Sequence, residues 1–163
     1  MKKITILFMA MLMLLSMVGC GVKSSKVDSI LSEDLNYILE KIYESADFDK
    51  EQKDAIMNYE TTKLDESNAG YILGTEEVKF KEGILSAPLM NVIPYQLVLL
   101  RLEDGADIEA TKEILSKNAN PRKWVCVEAE EVVVENIDNV VLFMMANEEE
   151  ATPIKNAFMN LSK

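Results

Sequence analysis

The strongest constraint on the fold of this sequence is the unbroken apolar run Leu97-Val98-Leu99-Leu100. A strand with one face in water alternates apolar and polar residues, whereas a strand covered on both faces is apolar along its length. Asp104-Gly105 follows the run and provides a turn. The run therefore predicts a central strand, or one covered on both faces, in a sheet with further structure packed against it.

Two more segments predict strands around this one. Residues 131–135 contain three consecutive valines, residues 140–145 form a second apolar run, and residues 136–139 separate them. This spacing predicts an antiparallel hairpin with a short loop. Val78 and Phe80 alternate with lysines, which predicts an exposed or edge strand.

Two amphipathic helices are predicted on the N-terminal side of the strands. Ser25-x-x-Asp28 resembles a capping box, which satisfies free backbone N–H groups at a helix start. A broad apolar stripe follows, formed by Val27, Ile30, Leu31, Leu35, Ile38, Leu39 and Ile42. Asp49-x-x-Gln52 predicts a second, shorter helix, and the polar, turn-rich residues 61–70 end this helical part.

Two more helices are predicted later in the chain. Asp107 has the chemistry of an N-cap for a helix that ends near Asn118. The last helix begins at Asn147-x-x-Glu150 or at Thr152-Pro153. The order helix, helix, strands, helix, hairpin, helix favours an α+β fold: a mainly antiparallel sheet with helices packed on it, preceded by an N-terminal amphipathic helix pair.

Composition excludes several classes of function. The chain has 163 residues, 48% of them apolar and 28% charged, as in an ordinary folded domain. Its net charge of −11 disfavours nucleic-acid binding, which needs concentrated lysine and arginine. It contains no histidine and two cysteines, so neither a Ser-His-Asp triad nor a cysteine-rich zinc site can form. No glycine-rich phosphate loop occurs. We predict no cofactor and no metal.

The first 20 residues have the layout of a secretion signal. Lys2 and Lys3 precede an apolar stretch at residues 4–18, which is too short for a membrane span. Met17-Val18-Gly19-Cys20 resembles the lipobox of a bacterial lipoprotein. The sequence thus predicts a signal peptide at residues 1–19, cleavage between Gly19 and Cys20, and a diacylglyceryl group on the Cys20 thiol.

Lipidation determines the predicted location. Several acyl chains hold a protein on a bilayer stably, whereas a single one binds marginally. We expect a protein anchored by lipid at the extracytoplasmic face of the cell membrane, with residues 20–26 as lipidated cysteine and tether. Because it is acidic, the folded body should stand off an anionic bilayer. Cys126 then remains as the free thiol, and its apolar neighbours predict a small buried residue on a strand.

A family resemblance supports this reading. Residues 97–110 (LVLLRLEDGADIEA), the valine-rich residues 131–134 and the apolar return at 140–145 resemble a family of Gram-positive lipoproteins known as domain of unknown function 4358. The resemblance covers roughly residues 71–161 and implies a lipoprotein with this order of elements, but no catalytic residue. We predict a single domain at residues 27–163, with a helical part at 27–70 and a sheet-and-helix part at 71–161.

One segment places cations beside the single tryptophan. Arg122, Lys123 and Trp124 are consecutive, and Trp and Arg are enriched in interaction hot spots. They predict a binding patch. The alternative is a loop whose tryptophan fills the edge of the sheet.

Acidic residues offer weaker signals. Glu128, Glu130, Glu131 and Glu135 lie near the hairpin, where a pair of carboxylates would support acid–base chemistry. Residues 47–58 begin like a calcium loop but lack the glycine and glutamate that such loops need at their sixth and twelfth positions. Glu148-Glu149-Glu150 suits the first turn of a helix.

These observations favour a non-enzymatic binding or protein-interaction module, held by lipid on the outer face of the cytoplasmic membrane. Its partner would be an envelope protein or a small ligand, and no catalytic residue is predicted. The alternative is an envelope hydrolase that uses paired carboxylates. A third hypothesis is sensing of divalent cations by the acidic surface.

Overall fold

The computed structural model describes residues 30–162, which form five helices and one five-stranded antiparallel sheet. This is the predicted α+β fold. The predicted signal peptide, Cys20 and the predicted tether lie outside the described residues. The elements are α1 Leu35–Ser45, α2 Lys50–Ile56, β1 Glu60–Lys63, α3 Ala69–Leu73, β2 Phe80–Ala87, β3 Gln96–Leu102, α4 Ile108–Asn118, β4 Glu131–Ile137, β5 Val140–Ala146 and α5 Glu148–Asn160.

The central strand is β3, as the apolar run predicts. The strand order is β1-β2-β3-β5-β4, and every neighbouring pair is antiparallel. Residues 97–100 of β3 are fully buried. Burial on both faces explains why this strand shows no alternation of apolar and polar residues.

Helices cover both faces of the sheet. The first face meets α1, α2 and α5, and the second face meets α3 and α4. Leu97 and Leu99 point to the first face, whereas Val98 and Leu100 point to the second. The two N-terminal helices therefore belong to the main core, because α1 packs on β2, β3 and α5.

The hairpin prediction is confirmed. β4 pairs with β5 over seven residues, from Glu131 opposite Ala146 to Ile137 opposite Val140. Only Asp138 and Asn139 connect the strands, and Asp138 has a left-handed φ of 49°. Aspartate and asparagine tolerate that conformation better than most residues, which suits them to tight turns.

The capping predictions are confirmed at two helices. Asp49 and Gln52 form both hydrogen bonds of the capping box at α2, and Asp107 accepts from the Ala110 N–H at α4. The predicted capping box Ser25-x-x-Asp28 lies outside the described residues.

The predicted continuous helix is interrupted at residues 32–34. α1 begins at Leu35, and its N-cap Asp34 accepts from the Asn36 N–H at 2.8 Å.

Two further expectations need correction. β2, predicted to be exposed or at an edge, lies between β1 and β3. β1 forms within residues 60–63, where the sequence predicts turns, because antiparallel pairing with β2 uses the backbone and needs no apolar side chains.

Of the two predicted starts of the last helix, the structure has the one at Asn147, so Pro153 lies inside the helix. Among residues 30–162, no helix combines the length and hydrophobicity that a membrane span requires.

Candidate functional site

One end of the sheet carries several exposed apolar side chains. We call it the loop end; here β2 ends, β3 begins and residues 88–95 connect them. Leu89 and Met90 are 79% and 63% exposed, and Val92 is also exposed. Val125 comes from another loop, is 56% exposed, and donates its N–H to the Asn91 carbonyl at 3.0 Å. Clustered exposed apolar residues mark interaction sites more often than isolated ones do.

We call Leu89, Met90, Val92 and Val125 the apolar patch. The sequence patterns described above do not predict this patch. The available signal is the pair Pro88 and Pro94, which brackets an apolar segment. Proline lacks the N–H that a central strand must donate, so apolar residues between two prolines tend to lie in a loop.

The base of this loop is held by a buried cluster of hydroxyl groups. The Tyr43 hydroxyl donates to Ser86 Oγ at 2.8 Å and lies 2.9 Å from the Tyr95 hydroxyl. Ser86 and Tyr95 flank the loop at the end of β2 and just before β3, and Tyr43 comes from α1. Burial raises the pKa of Tyr43 to about 12 and that of Tyr95 well above its usual value. Both hydroxyls therefore stay protonated and able to donate near neutral pH.

A second set of polar contacts joins the loop at residues 119–130, which carries Val125, to the second face of the sheet. Lys123 Nζ donates to Gln96 Oε1, and Gln96 Nε2 donates to the Ile72 carbonyl at 3.1 Å. The Lys123 ammonium also lies 5.4 Å from the centre of the exposed Tyr71 ring. Burial lowers the pKa of Lys123 to about 8. Lys123 therefore mainly makes contacts inside the protein.

The structure separates the residues of the predicted binding patch. Trp124 is 8% exposed and belongs to the core of the second face. Lys123 is half-buried, whereas Arg122 is exposed and bonds Glu128 at 2.6 Å. Trp124 thus takes the alternative role that the sequence offered, as a packing residue. Any binding by Arg122 and Lys123 stays a prediction.

The expectation for Cys126 is wrong. It is exposed, lies in a loop and has a left-handed φ of 62°. Its neighbour Val125 is exposed as well, because only Trp124 of this segment enters the core. A short apolar stretch does not show whether its residues form a buried strand or an exposed loop.

Most of the acidic residues near the hairpin have separate partners. Glu130 accepts from the Glu148 N–H at 3.1 Å, at the start of α5, and Glu135 bonds Lys155 at 2.7 Å. Glu128 bonds Arg122. Within residues 30–162, no group of three or more cysteine, aspartate or glutamate side chains is arranged to hold a metal ion.

Glu150 differs from these carboxylates. One of its oxygens is buried and accepts no hydrogen bond within the described chain. Burial raises its pKa, with smaller contributions from Glu149 and Glu130, and its charge in turn raises the pKa of Tyr59 and Tyr95. A partly buried carboxyl group with a raised pKa therefore lies near the hydroxyl cluster.

The first described residues lie at the opposite end of the sheet. Arg101, near the end of β3, donates to the Leu31 carbonyl at 2.5 Å and to the Glu33 carbonyl at 2.6 Å. Its Nε also bonds Glu82 at 2.5 Å. At about 3.3 Å per residue, the seven-residue β3 separates this end from the loop end by roughly 20 Å.

No protein-family model, no curated protein and no solved structure matches this chain. The resemblance to the Gram-positive lipoprotein family therefore stays a prediction.

Proposed function

We propose that this chain is a bacterial lipoprotein anchored through Cys20 to the outer face of the cytoplasmic membrane, and that it acts as a protein-interaction module. The apolar patch carries this proposal. Leu89, Met90, Val92 and Val125 are exposed together at one end of the fold. Leaving large apolar side chains in water is unfavourable, and a partner that covers them gains binding energy.

The position of the patch supports a partner other than the anchoring membrane. Leu31, near the start of the described residues, lies beside Arg101. The patch lies at the other end of β3. With Cys20 in the bilayer, the simplest arrangement directs the patch away from the lipid and towards other proteins of the envelope.

The construction of the loop supports the same role. Residues 88–95 are held at their base by Tyr43, Ser86 and Tyr95, and at their tip by the bond between Val125 and Asn91. A surface that is already ordered loses less conformational entropy when it binds.

An envelope hydrolase has less support. Glu128 and Glu135 are each paired with a cation, and Glu130 binds the start of a helix. Glu131 and Glu135 line one groove along β4, but Glu135 is already held there by Lys155. A catalytic pair needs both carboxyl groups free to reach a substrate.

Crosslinking in intact cells tests the interaction. A photoreactive amino acid at Val92 of the full-length protein should give a discrete crosslinked product, and the combined Leu89→Asp and Met90→Asp changes should remove it. A probe at Tyr37, which is exposed on α1, is the matched control and should give none. Equal products from both probes, or none from Val92, would contradict the proposal.

The anchor is tested separately. Cys20→Ser should abolish labelling by fatty acids and leave the unprocessed precursor, as detected by mass spectrometry. Unchanged processing would refute the lipoprotein assignment without affecting the interaction test.

A further inference from the structure

The two outer strands of the sheet differ in how far they are protected. β1 has four residues, all exposed, whereas β4 has seven and pairs with β5 without a register shift. Natural proteins protect such edges by keeping the strand short or by adding bulges, prolines or charges. β4 contains neither a bulge nor a proline, and its two charged residues, Glu131 and Glu135, flank three consecutive valines.

The hairpin geometry shows which backbone groups of β4 are free. In a hairpin with a two-residue loop, the residues that flank the loop form a hydrogen-bonded pair. Here that pair is Ile137 and Val140. Bonding alternates along the strand, so Val132, Val134 and Asn136 direct their N–H and C=O groups away from β5. No strand among residues 30–162 pairs with this edge.

A groove runs along the free edge. Its volume is about 390 Å³, with β4 as its floor, Ser116 of α4 on one side and Thr152 and Lys155 of α5 on the other. An extended chain bonded to β4 would therefore lie between two helices. Such strand addition is a common way in which proteins bind peptides.

Charge indicates what kind of strand fits. Glu131 and Glu148 line the groove, and within residues 30–162 neither has a lysine or arginine nitrogen within 4.0 Å. Glu135, further along β4, is already paired with Lys155. A basic strand would supply the missing cations. A second copy of this chain would instead bring the same carboxylates and a net charge of −11.

We propose that the outer edge of β4 binds an extended segment of a basic partner protein, which adds a sixth strand to the sheet and places lysine or arginine beside Glu131 and Glu148. This surface is separate from the apolar patch and does not depend on the function proposed for it.

Hydrogen exchange of the full-length protein in detergent tests the proposal with a capped heptapeptide of alternating valine and lysine. At saturation we expect exchange at the Val132 and Val134 amides to slow by about tenfold or more, since a bonded amide exchanges only when the strand opens. The amides of Thr61 and Thr62 on the other edge should not change. The same peptide methylated on alternate backbone nitrogens should give no protection.

Matched variants separate the backbone contribution from the charge contribution. Val134→Pro removes one outward donor and should weaken peptide binding at least severalfold, whereas Val134→Ala keeps the donor and should bind normally. Glu131→Gln with Glu148→Gln should weaken binding and reduce its dependence on salt.

Several results would overturn the proposal: equal protection by the methylated peptide, equal binding of a glutamate-for-lysine peptide, or protection that appears without peptide as the protein dimerises. If Val134→Pro does not fold, the methylated peptide still tests strand addition. Leu89→Asp with Met90→Asp should leave peptide binding unchanged, so failure of the patch and failure of this edge can be told apart.

Discussion

The two faces of the sheet differ in where their polar contacts lie. Near the loop end, the first face has hydrogen-bonded hydroxyl groups inside its core, whereas on the second face a surface loop bonds to the start of β3. On the first face, Tyr43, Ser86 and Tyr95 bond one another inside the core. On the second, Lys123 reaches Gln96 from a surface loop. Both arrangements hold loops at the same end of the sheet. They place different titratable groups in the protein interior, and the two faces should therefore respond differently to mutation and to pH.

The largest effects on stability should come from buried apolar side chains, which both faces have. Phe158→Ala on the first face should lower the free energy of unfolding by about 3–5 kcal/mol, and Leu115→Ala on the second by about 2–5 kcal/mol, since both side chains are fully buried. Urea denaturation measures these changes. Val92→Ala, at an exposed position, should stay within about 0.5 kcal/mol. A small effect at either buried position would show that its helix does not pack as described.

Tyr43→Phe tests the hydroxyl cluster on the first face. It leaves the buried Ser86 and Tyr95 hydroxyls without a partner and should cost about 1–3 kcal/mol. The pKa of Tyr43 is about 12 in the fold against 10.0 outside it. Its contribution is therefore fully present below pH 10 and is lost as the pH rises towards 12. The variant should lack that part of the alkaline decline, which a denaturation series between pH 9 and 12 would show.

Lys123→Met tests the fastening of the second face and predicts the opposite pH dependence. The change leaves buried Gln96 Oε1 without its donor, which costs about 1 kcal/mol. At pH 7 it also removes a buried charge, so the two effects oppose each other there. The pKa of Lys123 is about 8 in the fold against 10.5 outside it. Because the unfolded chain holds the proton more tightly, the native protein gains stability from this group as the pH rises from 8 to 10.5. The variant should lose that gain; the same slope in both proteins would contradict the assignment.

Glu150→Gln should have the smallest effect, and it should be stabilising. The pKa of Glu150 is raised in the fold, so the native protein favours the protonated carboxyl. Its contribution is present at pH 4 and is lost as the pH rises through the raised pKa. The neutral amide avoids this loss and should stabilise the protein slightly at pH 7 and less at pH 4. Equal stabilisation at pH 4 and pH 7 would show that charge is not the cause.

Local sequence patterns predict much of the fold and little of the candidate site. Residues 97–100 predict the central strand because burial on both faces removes alternation, and Asp49, Gln52 and Asp107 predict helix starts because their side chains bond nearby N–H groups. These interactions join residues close in sequence. The contacts that build the loop end do not: Tyr43 meets Ser86 and Tyr95 across 43 and 52 positions.

The α+β class, the hairpin, the central strand and the lack of histidine chemistry follow from composition and short-range periodicity. Long-range packing fixes the rest: Trp124 is buried, Cys126 is exposed, residues 60–63 form a strand and the apolar patch lies at the loop end. Burial in a loop depends on which distant segments cover it. Strands pair through the backbone and need no particular side-chain pattern. Neither burial in a loop nor a strand such as β1 can therefore be predicted from neighbouring residues alone.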